Sequence, residues 1–102
     1  MNRADSATLR EIRAVLNLEA RALERAAASV DASYLKAMAL LARCRGKVAV
    51  TGVGKSGLIA QKVAATLTST GTPAFFLHAA YALHGDLGTV QRHDVVLAFG
   101  KS

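Results

Sequence analysis

The chain of 102 residues is predicted to adopt an α/β fold, part of a doubly wound parallel sheet in three α/β/α layers, preceded by two N-terminal helices. Three observations lead there. Apolar residues recur with a helical period up to about residue 45. Short runs of β-branched and aromatic residues follow at 47–51, 74–77 and 94–98. A glycine-rich segment, Thr51-Gly-Val-Gly-Lys-Ser-Gly57, comes directly after the first of those runs.

In the leading segment Leu9, Ile12, Leu16, Leu23, Ala27 and Val30 fall at spacings of three, four or seven, on one stripe of a helix. Asp5 or Ser6 is suited to cap its start, because a short side-chain oxygen accepts a free N–H of the first turn. Small polar residues over Ser29–Asp31 mark a break. A second helix carries Tyr34, Leu35, Met38, Leu41 and Ala42, and Gly46 is expected to stop it. Lys47–Thr51 then reads as a strand buried on both faces, as in a parallel sheet. Ser56–Ser69 is a third helix, with Leu58, Ile59, Val63 and Leu67 expected to face the sheet and Gly71 to end it. Thr72-Pro73 leads into a strand over Ala74–Leu77. A short helix or loop spans 78–90, and Asp94–Ala98 is the last strand. This is the grammar of a βαβ domain, with helices over 1–45 and the βαβ part over 46–102. Ligands of such sheets sit at the carboxyl ends of strands, which selects residues 52–57, 78–88 and 99–102.

Composition narrows the partners. The net charge is +6, which suits anions, and residues 1–47 hold nine Lys/Arg against five Asp/Glu. Aromatics are only 5% and no basic run interleaves with them, so nucleic acid is not expected as a partner. Cys44 stands alone, which rules out an internal disulfide and thiolate metal clusters, and its apolar neighbours predict a buried thiol. The opening residues lack an apolar signal region, and no stretch approaches the roughly 18 apolar residues of a membrane span. A cytoplasmic protein without membrane partners is expected.

Glycines at the strand–helix junction let backbone approach a ligand, the free N–H groups of a helix start attract anions, and Lys55 adds a positive charge. Phosphate or sugar phosphate is the ligand class this predicts. Two nucleotide motifs compete for the same residues. A P-loop would need glycine at Ala49, inside the strand, so the loop is too short to wrap a triphosphate. Gly52, Gly54 and Gly57 match GxGxxG, yet His78 follows the second strand where a dinucleotide site wants an acid, and the first acid beyond is Asp86.

The run VAVTGVGKSGLIAQKVAATLTSTGTPAFFLHAAYALHGDLG, followed by DVVLAF, resembles the sugar isomerase (SIS) domain of the arabinose-5-phosphate isomerases. The likeness covers roughly residues 8–102 and is densest over 48–98; TGxGKSG, TSTGTPAFF and HxxxxxHGDLG in this order make it specific. The resemblance implies a flavodoxin-like three-layer fold and interconversion of D-arabinose 5-phosphate and D-ribulose 5-phosphate, on the route to a lipopolysaccharide or capsule sugar acid. By motif, Lys55 matches the lysine needed for activity. Gly71, Thr72, His78 and His84 match substrate-contacting positions, and His78 a position that can take zinc; no cofactor is otherwise implied. Gly52, Gly54 and Ser56 belong to the phosphate-facing loop, and Ser102 matches the second serine of a later S-x-S-G-E-[ST] loop. Assembly as a dimer or tetramer is implied as well.

Departures accompany the matches. Tyr81 stands where the family usually carries Glu, Ala79 where it carries Pro, and Gly100 where the later loop has its first serine. A truncated domain without the CBS domains that often follow is therefore expected, with weak binding and little turnover from these 102 residues alone. A non-catalytic module that senses a sugar phosphate is the alternative. For the histidines a structural role competes with a ligand: a cap at His78, a turn at His84, and surface at His93. Asp86 is expected to brace its loop.

Overall fold

A computed structural model describes residues 1–100 of the chain. It divides into two compact units, Met1–Lys36 and Ala37–Ser102. In the first, α1 runs from Arg3 to Ala28. Its cap is Asn2, not Asp5 or Ser6. The Asn2 side chain accepts from the Asp5 N–H at 2.8 Å, and the Asp5 carboxylate accepts from the Asn2 N–H at 3.3 Å, a reciprocal box that satisfies two end donors. The helix thus starts earlier than its apolar stripe. It ends at Ser29, so Val30 lies in the break. The Asp31 carboxylate accepts from the Ser33 hydroxyl and from the Ser33 N–H, and these bonds hold its pKa below the usual carboxylate range. This turn starts α2, Ala32–Ala42.

The second unit is built on a parallel sheet of three strands, β1 (Val48–Gly52), β2 (Ala74–Phe76) and β3 (Val95–Phe99), in the order β2-β1-β3. The chain leaves β1 for one side and later returns to the other, which makes β1 the central strand. Val48, Ala49 and Val50 are fully buried, as expected for a strand covered on both faces. β3 alternates: Val95, Leu97 and Phe99 are half-buried, while Val96 and Ala98 are exposed.

Helix α3 (Lys55–Ser69) covers the face carrying Val48 and Val50, and here one expectation fails. Leu58 and Ile59 do not face the sheet; they are 64% and 54% exposed. The buried stripe is Gly57, Ala60 and Ala64, with Val63 and Leu67 packed beside it. Size rather than hydropathy decides. Small residues let the helix lie close to the strands, and bulkier side chains are turned away from that narrow gap. Leu41 and Cys44 pack against the same core, and the half-buried Cys44 thiol lies 3.6 Å from the Lys47 carbonyl.

At the amino end of the sheet Asp94 ties the segments together. Its side chain, 1% exposed, accepts from the Lys47 N–H and the Gln91 N–H, each at 2.7 Å, with the Lys47 ammonium 3.7 Å away. Gly46 does not cap α2 directly, since the helix ends at Ala42. It lies against the Asp94 carboxylate, where a Cβ would collide, and its N–H donates to the His93 carbonyl. His93 is exposed, as expected. After β2 come a one-turn helix α4 (Ala79–Ala82) and a 3-10 turn at Asp86–Thr89, braced by the Asp86 carbonyl, not its carboxylate, through the Thr89 hydroxyl at 2.7 Å.

Two outcomes test this packing. Ala64→Leu should lower stability by about 1–3 kcal/mol through overpacking, whereas Ile59→Ala should stay within about 0.5 kcal/mol, both read by urea unfolding; equal losses would contradict the small-residue stripe. The bonds from Lys47 and Gln91 hold the Asp94 pKa down. Because the folded value is depressed, its contribution is complete above the unfolded value of about 3.9 and fades as pH falls through the folded one. Asp94→Asn should therefore melt at lower temperature than the parent at pH 7, with the gap closing in acid below about pH 4; a gap unchanged at pH 2 would contradict this.

Candidate functional site

A cleft of about 500 Å³ opens where the carboxyl ends of β1 and β2 meet the first turns of α3. The β1 end builds one wall. A Cβ on Gly52 would lie 2.7 Å from the Ser56 carbonyl, so only glycine lets the strand end touch the helix this closely. Gly54 has φ 60° and ψ −128°, outside the range of residues with a Cβ, and occupies the cap position of α3 without any side-chain hydrogen bond. The Gly57 N–H donates to the Gly54 carbonyl at 3.0 Å, and the Lys55 and Ser56 N–H groups of the first turn are left for water or a ligand, in contrast to α1 with its reciprocal box. The exposed Lys55 and the half-buried Ser56 are the first two residues of that turn.

The opposite wall comes from β2 and α4. Phe76 and Leu83 border the cleft, with His78 between them in sequence. His78 caps α4: its Nδ1 accepts from the Ala80 N–H at 3.2 Å. The ring stacks on Tyr81, 4.4 Å between centroids at 23°, and meets Phe76 edge-on at 6.0 Å. The capping role weighed against a ligand is therefore real, and the same ring lines the cleft.

Of the residues selected from sequence, Gly52, Gly54 and His78 line the cleft, with Lys55 and Ser56 in the adjoining turn. His84 is exposed just past α4, its N–H donating to the Tyr81 carbonyl at 3.0 Å in a turn. Gly71 and Thr72 are not brought here. They precede β2, beyond the far end of the 15-residue α3, which is about 22 Å long. Ser102 lies outside the described residues. Gln61, Phe76 and Leu83 join the cleft without having been marked by any motif. For Gln61 a signal exists: it sits four positions after Gly57, hence on the same helix face.

Zinc does not fit His78. A resident site takes three or four convergent ligands, and among the described residues no three His, Cys, Asp or Glu groups gather in that way. One imidazole nitrogen is already engaged by Ala80. The site instead offers bare N–H groups, a lysine, an imidazole and an apolar wall. These suit an anion attached to a small carbon skeleton.

A parallel sheet with an uncapped helix start at its carboxyl edge is an α/β architecture whose free N–H groups suit a small anion. The family model for the SIS domain matches residues 40–102, and the chain belongs to the SIS domain family. It is 49% identical over 85 residues to arabinose 5-phosphate isomerase GutQ of Escherichia coli K12, covering 83% of this chain and 26% of that protein. It is 47% identical over 87 residues to arabinose 5-phosphate isomerase KdsD of Pseudomonas aeruginosa, covering 85% of this chain and 27% of that protein. Among solved structures, an Escherichia coli CFT073 protein in complex with arabinose 5-phosphate superposes with TM-score 0.88 at 44% identity, over 100% of this chain and 53% of that one. The chain thus spans about a quarter of the length of these curated relatives.

Gly54→Ala introduces strain without a clash, since nothing lies within 4 Å of the added Cβ. It should cost about 1–3 kcal/mol in urea unfolding, while an alanine at an exposed α3 position such as Thr66 stays near neutral. A neutral Gly54→Ala would contradict the loop geometry.

Proposed function

We propose that this chain carries sugar-phosphate-binding machinery of an aldose–ketose isomerase that interconverts D-arabinose 5-phosphate and D-ribulose 5-phosphate, in the cytoplasm, toward a lipopolysaccharide or capsule sugar. The cleft at the uncapped start of α3 carries this reading, supported by relatives named arabinose 5-phosphate isomerases and by one solved with the sugar phosphate bound. The N–H groups after Gly52 and Gly54, the Ser56 hydroxyl and the Lys55 ammonium meet the anionic end of the substrate. Phe76 and Leu83 border its carbon chain. Isomerisation moves a proton between neighbouring carbons through an enediol, which needs a base and a group to polarise the carbonyl. Lys55 offsets the developing negative charge, and His78 and His84 supply imidazoles for polarisation or proton relay.

Self-association as a dimer or tetramer belongs to the same proposal. Leu9, Ile12, Leu16 and Leu23 form an exposed apolar stripe on α1. Gly71 and Thr72 reach a ligand in the cleft only from a second copy, given their place at the other end of α3.

One observation favours a second reading, a sensing module without turnover: no Asp or Glu borders the cleft among the described residues, and Tyr81 stands beside His78. Conversion of arabinose 5-phosphate separates the two, since a sensor binds without converting.

The binding step is tested by following backbone amides during titration. Arabinose 5-phosphate should shift residues 52–57 and His78, arabinose without phosphate should not, and Lys55→Ala should weaken binding about tenfold, roughly the worth of one charge-assisted hydrogen bond. A cleft that ignores pentose phosphates and takes ATP or NAD would overturn the proposal.

A further inference from the structure

We propose that the Ala80 N–H fixes His78 as its Nε2–H tautomer and that Tyr81 is a positioning residue that keeps the ring in place for that bond, so that His78 presents the cleft with a hydrogen-bond donor for a sugar-phosphate oxygen and not with a metal-binding lone pair. This role rests on the sugar-phosphate reading of the cleft.

A neutral imidazole carries one N–H. Because the Ala80 N–H donates to Nδ1, that nitrogen keeps its lone pair and the proton resides on Nε2. The Nδ1–H tautomer would set donor against donor and remove the cap of α4. A metal meets the same obstacle twice. At Nδ1 it displaces the Ala80 N–H, and at Nε2 it drives the proton onto Nδ1 with the same loss. A sugar or phosphate oxygen at Nε2 costs neither.

Tyr81 supplies the second restraint. Its ring lies nearly parallel to the imidazole, at 4.4 Å and 23°, with Phe76 edge-on to that imidazole at 6.0 Å. Turning the imidazole by 180° would keep the stack but carry a C–H to Ala80, so the Ala80 bond selects the orientation, while the stack opposes any swing of the ring out of the plane in which Nδ1 meets Ala80. Tyr81 is 58% exposed and does not itself border the cleft. Its influence therefore passes through His78.

The test uses the full chain labelled with nitrogen-15, as parent, Tyr81→Phe and Tyr81→Ala. Long-range proton–nitrogen correlation at pH 8 should show the Nε2–H pattern for His78 in the parent and in Tyr81→Phe; an Nδ1–H pattern in the parent overturns the proposal. Titration with arabinose 5-phosphate should give equal affinity for parent and Tyr81→Phe and about fivefold weaker binding for Tyr81→Ala, the loss of one oriented neutral hydrogen bond. Equal affinity for parent and Tyr81→Ala, with dispersed spectra showing both folded, overturns the positioning role. Stoichiometric zinc chloride should leave the His78 nitrogens unmoved, and saturable displacement of Ala80 overturns the donor assignment. If the parent binds no pentose phosphate, the sugar-phosphate reading falls and the donor role with it, while the tautomer pattern still reports the state of the ring.

Discussion

The contact between Gly52 and the Ser56 carbonyl is the constraint on which the rest depends. It sits where the buried central strand ends and α3 begins. Since no Cβ intervenes, the helix can lie low on the sheet, and a stripe as thin as Gly57, Ala60 and Ala64 suffices to fill the space above Val48 and Val50. The same closeness delivers bare N–H groups to the strand end. A side chain at residue 52 would lift the helix from the core and remove one wall of the cleft together. Stability and binding thus share a single backbone approach.

The other end of the sheet is held by charge and hydrogen bonding. Asp94 collects the Lys47 and Gln91 N–H groups just before β3. The Lys47 carbonyl then accepts the Val95 N–H, which opens the pairing of β3 with β1. From there the register runs from Val48 opposite Val95 to Gly52 opposite Phe99. A buried carboxylate remote from the cleft therefore decides which β3 residue ends level with the glycine loop. The backbone partners matter more than the Lys47 ammonium, which is half-exposed at 3.7 Å.

Strand existence is legible because buried parallel strands leave short β-branched runs, as at Val48–Val50, and glycine turns punctuate them. The apolar pattern misplaces the stripe of α3, because apolarity marks Leu58 and Ile59 more strongly than Ala60 and Ala64, whereas packing against a sheet rewards small size. It also sets the start of α1 too late, because the capping pair, Asn2 and Asp5, precedes the first apolar residue of the stripe. In the site, motif and position after a strand suffice to find Gly52, Gly54 and His78. Gln61 is marked only by its helical spacing from Gly57, and Phe76 and Leu83 carry no chemical signature, so the folded geometry places them at the cleft.

Gly71 and Thr72 show what motif order omits. In a parallel sheet every segment that follows a strand emerges at one edge, and every segment that precedes a strand enters at the other. Lys55 follows β1 and His78 follows β2, so both belong to the cleft edge. Gly71 and Thr72 precede β2 and belong to the opposite edge, although only five residues separate Thr72 from His78 in the chain. Sequence proximity is therefore a poor guide to shared chemistry here, and strand polarity a good one. Within one chain the cleft draws on the segments after β1 and β2, and contacts from the other edge require a second body placed against it.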